Sequence, residues 1–442
     1  MTIVHVVNFF LPDHAAGTEN YVYNIALLQQ QKGHEVFVVR PDYWGREDYV
    51  HEGVHVKYYA EEKRTASKAE ILGIAAPAGL GAFIQLLKTL KPAIVHFHEI
   101  NGSNGITYFH IHAVYALGIK QFLTAHLPTI TCATSTLFYK NKTVCDGITR
   151  VGKCSRCVIY NNTGNNVLAD IAAFISSNAL YLNKGIGLLP ASIFSTAFLI
   201  SNKQQQLLHL AKELDGIIVL TKWYKKVLLQ NGFPNEKIIL IEQGVNPQFF
   251  LQEAIPIEKR NDRRLVFVGR ITKVKGLHLL IDALKKIQYP IQLDIYGNKV
   301  DTDYFNACMQ DAKNHKIDAQ WKGLIAPNRM VQLIKNYDAL VLPSYFSEMS
   351  PLVIQEAFLA GVPVIASNAY GNAEQIVEGK NGFLFEFGNS NSLRHVIEHF
   401  YAKYSKTKWS INFTSNTFET VVDALDAAYG HAVNAEALIA EH

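Results

Sequence analysis

The chain has 442 residues, 49% of them hydrophobic and 18% charged, with a formal net charge of only +4. That apolar fraction is ample for large cores and excludes disorder. The absence of a fixed-period repeat or a single-sign charge run excludes a solenoid and argues against a nucleic-acid partner. At roughly 150–200 residues per domain the length holds two or three domains of a large α/β enzyme, and composition does not choose its chemistry.

The opening MTIVHVVNFFLP lacks a basic n-region and a small-residue cleavage site, so it reads as a first strand and not as a signal peptide. IVHVVNF (3–9) leads through the turn LPDHAAG into a helix predicted from about Thr18 to a stop at Gly33, and EVFVVR (35–40) is the next strand. AIVHFH (93–98) and QFLTAH (121–126) read as buried strands with a helix between them. GIIVLT (216–221), a helix to about Gly232, and IILIE (238–242) complete the series. β-Branched runs alternating with helical patterns predict a parallel, doubly wound sheet.

Two stretches interrupt this pattern. Cys132, Cys145, Cys154 and Cys157 are close in sequence, the last two as a C-x-x-C, a spacing that suits tetrahedral zinc. A disulfide pair and four unrelated thiols are the alternatives. In a long chain without a signal peptide, so few cysteines fit a reducing cytosol. Residues 158–202 then carry only Asp170 and Lys184 as charges, and Lys140, Lys142, Arg150, Lys153 and Arg156 lie just before them. No apolar run reaches about 18–20 residues, so no membrane span is expected. Basic loops beside apolar helices suit peripheral contact with an anionic membrane; helices packed on the first lobe are the other reading.

After a polar stretch from about Asn246 to Arg264 the series restarts with RLVFVG (264–269), IQLDIYG (291–297), DALVLP (338–343) and PVIAS (363–367). Two such sheets predict two Rossmann-like lobes with a cleft between them. Ligands in these sheets sit at the carboxyl ends of strands, which directs attention to the loops after His98, His126, Gly269, Gly297, Pro343 and Ser367. In the loop after Pro343, Ser350 and Pro351 are expected to cap and start a helix, and Glu348 and Glu356 flank that start. A helix start offers unpaired N–H groups to a diphosphate, and carboxylates can accept hydrogen bonds from sugar hydroxyls. Arg270 and Lys275, after the first strand of the second lobe, are two fixed cations suited to charge developing on a phosphate leaving group.

Glu348, Glu356 and Ala357, followed by Gly361-Val362-Pro363-Val364-Ile365-Ala366-Ser367, resemble the retaining glycosyltransferases of family GT4. AGTENYVYNIALLQQQKGHEVFVV, DGIIVLTKWYKKVLLQNGF, IEQGVNPQFF and VGRITKVKGLHLLIDAL extend that resemblance over nearly the whole chain. It implies a GT-B fold, two facing Rossmann-like domains. The expected bounds are 1–245 for acceptor binding, 246–408 for the nucleotide-sugar, and 409–442 as helices crossing back. It also implies a metal-independent transfer from a UDP- or GDP-sugar to a glycan or lipid-linked acceptor, at the cytoplasmic face of a membrane.

Residue by residue, the resemblance implies that Gly269, Arg270 and Lys275 serve the leaving diphosphate. Glu356 would hold the ribose, Glu348 the donor sugar, and the amides of Met349 and Ser350 the sugar or diphosphate. Gly17 would allow close approach opposite the phosphates, and His126 would contact the reacting sugar. Leu127 stands where the family usually has Asp, and Tyr370-Gly371-Asn372-Ala373-Glu374 keeps one glycine of a usual pair. Related sequences often carry a similar cysteine cluster. Asp301-Thr302-Asp303 matches a metal-binding D-x-D pattern but reads as a solvated loop in the second lobe. A dinucleotide dehydrogenase is a poor alternative, because no G-x-G-x-x-G follows the first strand. A non-catalytic scaffold, or a phosphorylase or synthase on the same fold, is the nearer rival.

Overall fold

The computed structural model describes residues 1–14, 16–62, 65–100, 105–181, 195–245, 262–403 and 416–440. It divides into two compact units, residues 1–242 with 418–442 and residues 243–417.

The first unit is built on strands β1 (Thr2–Val6), β2 (Glu35–Asp42), β3 (Tyr49–His51), β4 (Val54–Ala60), β5 (Ile94–Phe97), β6 (Lys120–Thr124), β7 (Gly216–Val219) and β8 (Ile238–Leu240). They form one sheet in the order β8-β7-β6-β5-β1-β2-β4-β3. All neighbours run parallel except the β3–β4 edge pair. Helices cover both faces, so the central strands are buried along their length and are rich in Val and Ile throughout instead of alternating with polar residues.

The helix Gly17–Gln31 follows β1, and its start is closed by Glu19, whose Oε2 accepts from the Ala16 amide at 3.1 Å. Its buried face, Tyr21, Val22, Ile25 and Ala26, packs in one core with Ile3, Val36 and Val38. Phe418, Val421, Val422, Leu425 and Tyr429 of the C-terminal helix Phe418–Ala440 join the same core. The start expected for that segment near Trp409 falls in 404–415, outside the described residues, as does the polar linker over 246–261. Of the low-charge stretch, the helices Asn166–Tyr181 and Thr196–Glu213 are described and 182–194 are not.

The second unit has strands β9 (Arg264–Val268), β10 (Gln292–Tyr296), β11 (Asp318–Gly323), β12 (Ala339–Leu342), β13 (Val364–Ser367) and β14 (Gly382–Phe385). Their order is β11-β10-β9-β12-β13-β14, all parallel. Successive side chains of a strand face opposite sides, and β9 shows it directly. Leu265 and Phe267 enter one core with Leu293, Ile295 and Val341, while Val266 and Val268 enter the other with Leu340, Leu342 and Ile354. Because the chain winds outward in both directions from β9 and β12, the switch point lies between their carboxyl ends. In an open α/β sheet that is where a ligand sits.

Sequence patterning did not anticipate four strands. The edge strand β11, DAQWKG, is largely exposed and has no apolar run to mark it. β3 and the short β14 are likewise edge strands, and β4, between β2 and β3, is followed by β5 but joined to β2 and β3 without an intervening helix.

Candidate functional site

Loops after β9, β12 and β13 meet at the switch point of the second unit. The first two are joined by backbone: the Tyr345 amide donates to the Val274 carbonyl at 3.0 Å. Gly276 has φ +77°, and a Cβ there would lie 2.1 Å from the Pro343 oxygen, so only glycine lets the loops approach this closely. Across this contact Lys275 Nζ donates to Glu348 Oε1 at 2.5 Å, and Ser344 Oγ donates to the same oxygen at 2.8 Å. Glu348 is 7% exposed. Lys275 and Glu348, separately expected at diphosphate and sugar, thus form one ion pair that holds the ammonium in place. The Arg270 side chain is exposed and has no protein partner among the described residues.

The expected cap of the next helix is corrected. The helix runs Leu352–Leu359, and Pro351, with φ −67° and ψ 119°, is its N-cap residue and not its first helical one. The pyrrolidine ring restrains φ alone, and the extended ψ holds Pro351 outside the helix. Ser350 Oγ accepts from Gln355 Nε2 at 3.4 Å and caps nothing. The amides of Met349 and Ser350 have no partner among the described residues and are available as donors. The loop carrying them is clamped from β13's side. The Gly371 amide donates to the Glu348 carbonyl at 2.9 Å, and a Cβ on Gly371 would meet the Met349 oxygen at 1.9 Å. The one glycine kept in Tyr370–Glu374 is therefore the one this packing requires.

Glu356 lies four residues into the helix. Burial pushes its carboxyl up to about 7, and its side chain has no hydrogen-bond partner among the described residues. Such a group is an acceptor awaiting a donor. Asp301, by contrast, caps the helix Thr302–Asn314, accepting from the Tyr304 amide at 3.0 Å, and the D-x-D is an exposed helix start. Gly269 follows β9 directly, at φ +155°.

In the first unit Gly17 opens its helix, and an added Cβ there would meet nothing within 4 Å. Nearby, Glu99 follows β5, accepts from Thr18 Oγ1 at 3.3 Å, and is pushed up to about 7 by burial. His126 lies two residues beyond β6, partly exposed, against the Tyr21 ring at 4.8 Å. Burial lowers its pKa to about 3, so the imidazole is neutral. Its Nε2 is 3.2 Å from His98 Nδ1. The sequence directed attention to the loop after His98, where Glu99 stands, without giving either residue a role, and His5 was missed; the available signal was a polar residue inside a run otherwise fit for a buried strand.

The four cysteines are free thiols, which removes the disulfide alternative. All four line a cavity of about 20 Å³, with Cys154 and Cys157 one turn apart on the helix Val151–Thr163. Backbone amides of Lys140 and Arg150 donate to Cys157 and Cys154 Sγ at 3.2 and 3.4 Å, and Lys153 Nζ lies 3.5 Å from Cys145 Sγ. Burial pushes the Cys145, Cys154 and Cys157 thiols up, Cys157 to about 11. No three of the sulfurs lie within 4.8 Å of one another. Beyond them, the helix Asn166–Tyr181 turns Ala169, Ala172 and Ala173 inward against Ile159 and leaves Val167, Ile171, Phe174 and Ile175 exposed, Phe174 at 69%. Among the described residues no helix is long and apolar enough to cross a membrane.

Two family models match the chain: "Glycosyltransferase Family 4" over residues 15–143 and "Glycosyl transferases group 1" over 251–412. An uncharacterized glycosyltransferase of Methanocaldococcus jannaschii is 29% identical over 192 residues, covering 40% of this chain and 48% of the relative. The lipopolysaccharide 1,2-N-acetylglucosaminetransferase of Salmonella typhimurium is 26% identical over 200 residues, 41% of this chain and 52% of the relative. The chain thus spans about half the length of the curated relatives it matches. The crystal structure of Anabaena HepE in complex with UDP and glucose superimposes with a TM-score of 0.62 at 14% identity, covering 97% of this chain and 99% of that one. That likeness shows the fold, GT-B with two Rossmann-like domains.

The Glu356 environment carries a pH signature. Folding raises its pKa from the usual 4.5 to about 7, so its contribution to stability is complete below about pH 4.5 and is lost as pH rises through 7. Glu356→Gln is expected to melt about 2–4 °C above the natural protein at pH 8, with the difference vanishing near pH 4.5. A variant no more stable at pH 8 overturns the assignment; differential scanning calorimetry reads it directly.

Proposed function

The chain belongs to the glycosyltransferases whose two domain models it matches, and on that premise we propose the following reaction. The protein transfers a hexose or N-acetylhexosamine, with retention and without a catalytic metal, from a UDP- or GDP-sugar to a glycan or lipid-linked acceptor. The setting is surface polysaccharide or glycolipid assembly at the cytoplasmic face of a membrane. The observation that carries the reading is the construction of the switch point. A cation held by Glu348, an exposed Arg270, two free amides and an unpartnered Glu356 stand on loops meeting at adjacent strand ends.

Each group has work in such a transfer. Lys275 and Arg270 stabilise charge appearing on the departing diphosphate, a task that fixed cations perform without reorganising at the moment of reaction. The Met349 and Ser350 amides donate to the sugar or diphosphate. Ribose hydroxyls donate to Glu356, which favours its ionised form. Glu348 contacts the donor sugar with its remaining lone pairs, and His126 contacts the sugar at the reacting face. The departing phosphate takes the proton of the acceptor hydroxyl, which attacks from the same face and so retains configuration. The UDP and glucose of HepE and the N-acetylglucosaminyl transfer of the Salmonella enzyme favour a UDP-sugar of one of these types. A phosphorylase or synthase would form a different product from the same donor.

Under the same reading Cys132, Cys145, Cys154 and Cys157 would be the ligands of a structural zinc, which would have to draw the sulfurs closer than they stand. Four thiols line one small cavity, and burial raises Cys145, Cys154 and Cys157; a bound cation would favour their thiolates. The apolar face of Asn166–Tyr181, beside Lys140 and Arg156, fits an anionic bilayer holding a lipid-linked acceptor.

Transfer is expected to fall at least about 100-fold in Glu356→Ala and in Lys275→Ala, measured as product formed from the donor that most raises the melting temperature in a screen of UDP-, GDP- and ADP-sugars. Near-normal turnover in both variants sinks the site. Elemental analysis should find one zinc per chain, lost on Cys154→Ser with Cys157→Ser; reduced natural protein without zinc ends that assignment. The protein should float with phosphatidylglycerol-containing liposomes and cease to do so in Ile171→Glu/Phe174→Glu, whereas natural protein left in the soluble fraction defeats the membrane contact.

A further inference from the structure

A chain of hydrogen bonds crosses the core of the first unit from the C-terminal helix to His126. Asp426 Oδ1 accepts from Gln29 Nε2 at 3.2 Å, and Gln29 Oε1 lies 2.7 Å from His5 Nε2. His5 Nδ1 lies 3.0 Å from His98 Nε2, and His98 Nδ1 lies 3.2 Å from His126 Nε2. His5, His98 and Gln29 are fully buried. We propose that Asp426, acting through Gln29, His5 and His98, fixes His126 in the tautomer that carries its proton on Nε2 and presents Nδ1 as a bare acceptor.

The direction of every bond follows from the first. A carboxylate only accepts, so the amide nitrogen of Gln29 must face Asp426 and its oxygen must face His5. An imidazole nitrogen set against a carbonyl oxygen carries a hydrogen, so His5 is protonated on Nε2. Its burial disfavours the imidazolium, bringing its pKa to about 4, and a neutral ring has one proton; His5 Nδ1 is therefore bare. His98 must then donate through Nε2, which leaves its own Nδ1 bare, and His126 must donate through Nε2 in turn. Reversing the chain would set the Gln29 oxygen against the Asp426 carboxylate, two acceptors facing each other.

The groups around the chain support this polarity. Asp426 stands beside Lys32, whose Nζ lies 3.1 Å from Oδ2, and His34 Nε2 lies 3.5 Å from the same oxygen. Lys32 also pairs with Asp423. His96 stands alongside but is closed on itself, with Nδ1 2.5 Å from the Tyr429 hydroxyl and Nε2 2.7 Å from Thr124 Oγ1. The ligand nitrogens of His5, His96 and His98 fall within 4.8 Å, a spacing a metal could use, yet each ring nitrogen already faces a hydrogen-bonding partner. Among the described residues His126 Nδ1 has no protein partner. It can accept a hydroxyl hydrogen and cannot donate to an oxygen anion. Asp426, Gln29, His5 and His98 are thus positioning residues; that the hydroxyl belongs to substrate rests on the transferase reading above.

The decisive measurement is nitrogen NMR of [15N]histidine-labelled full-length protein, with His126 assigned by the signal lost in His126→Gln. His126 is expected as a single tautomer, Nε2–H with unprotonated Nδ1, unchanged between pH 6 and 9. The Nδ1–H form, an average of the two, or a metal-bound imidazole signal at His5 or His98 would overturn the proposal without any variant. Asp426→Lys replaces the acceptor with a donor, turns the Gln29 amide and should invert the His126 signal, with kcat/KM falling at least tenfold; Asp426→Glu, still an acceptor, should restore both. A folded Asp426→Lys protein with the original tautomer also overturns the proposal. Inversion with unchanged turnover would remove His126 from the reaction, whereas loss of the transferase reading itself would appear in the Glu356 and Lys275 variants.

Discussion

The ion pair between Lys275 and Glu348 ties the loop after β9 to the loop after β12, and most of what the second unit offers a ligand follows from that tie. A largely buried pair is costly to desolvate and is worth forming only if its remaining hydrogen-bond capacity is filled. Ser344 supplies one bond to the carboxylate, and Gly371 holds the carbonyl of the same residue. The loop so fixed cannot fold back into the helix that follows. Its Met349 and Ser350 amides are therefore left without backbone partners, next to a cation whose position is set by protein and not by ligand.

Two groups of desolvated side chains are engaged differently. In the first, five histidines, His5, His96, His98, His110 and His126, are lowered in pKa by burial, and each has a partner. Such a network is stable because every donor meets an acceptor, and it has a definite polarity because one end is a carboxylate. In the second, Glu356 is partly buried, and without a hydrogen-bond partner among the described residues, a local cost that a functional site can carry. The contrast separates groups held ready for a ligand from groups that only position others.

Much of the architecture was legible in sequence because buried parallel strands are continuous β-branched runs. β1, β2, β5, β6, β7, β9, β10, β12 and β13 all carry that signal, and each lies within two residues of its expected place except the end of β1, which stops at Val6 and not at Phe9. The edge strands β3, β11 and β14 carry a weaker one, since a single neighbour demands less apolar surface, and β4, one place in from the edge, alternates buried and exposed residues. The start of the helix Leu352–Leu359 was misplaced by one residue for a different reason. Proline restrains φ and leaves ψ to the tertiary setting, so Ser-Pro marks a helix start without saying which residue is first.

By itself the sequence determined the residue types at the strand ends: a cation pair after β9, two glutamates around one helix start, a histidine after β6 and four clustered thiols. Only the tertiary structure decided how these are engaged. It paired Lys275 with Glu348, left Glu356 alone, made Asp301 a helix cap, and linked His126 to Asp426, 300 residues later in the chain. The physical reason is range. Burial patterns and turn chemistry act between near neighbours in the chain, whereas desolvation, proton direction and ion pairing depend on which distant groups the fold brings within about 3 Å.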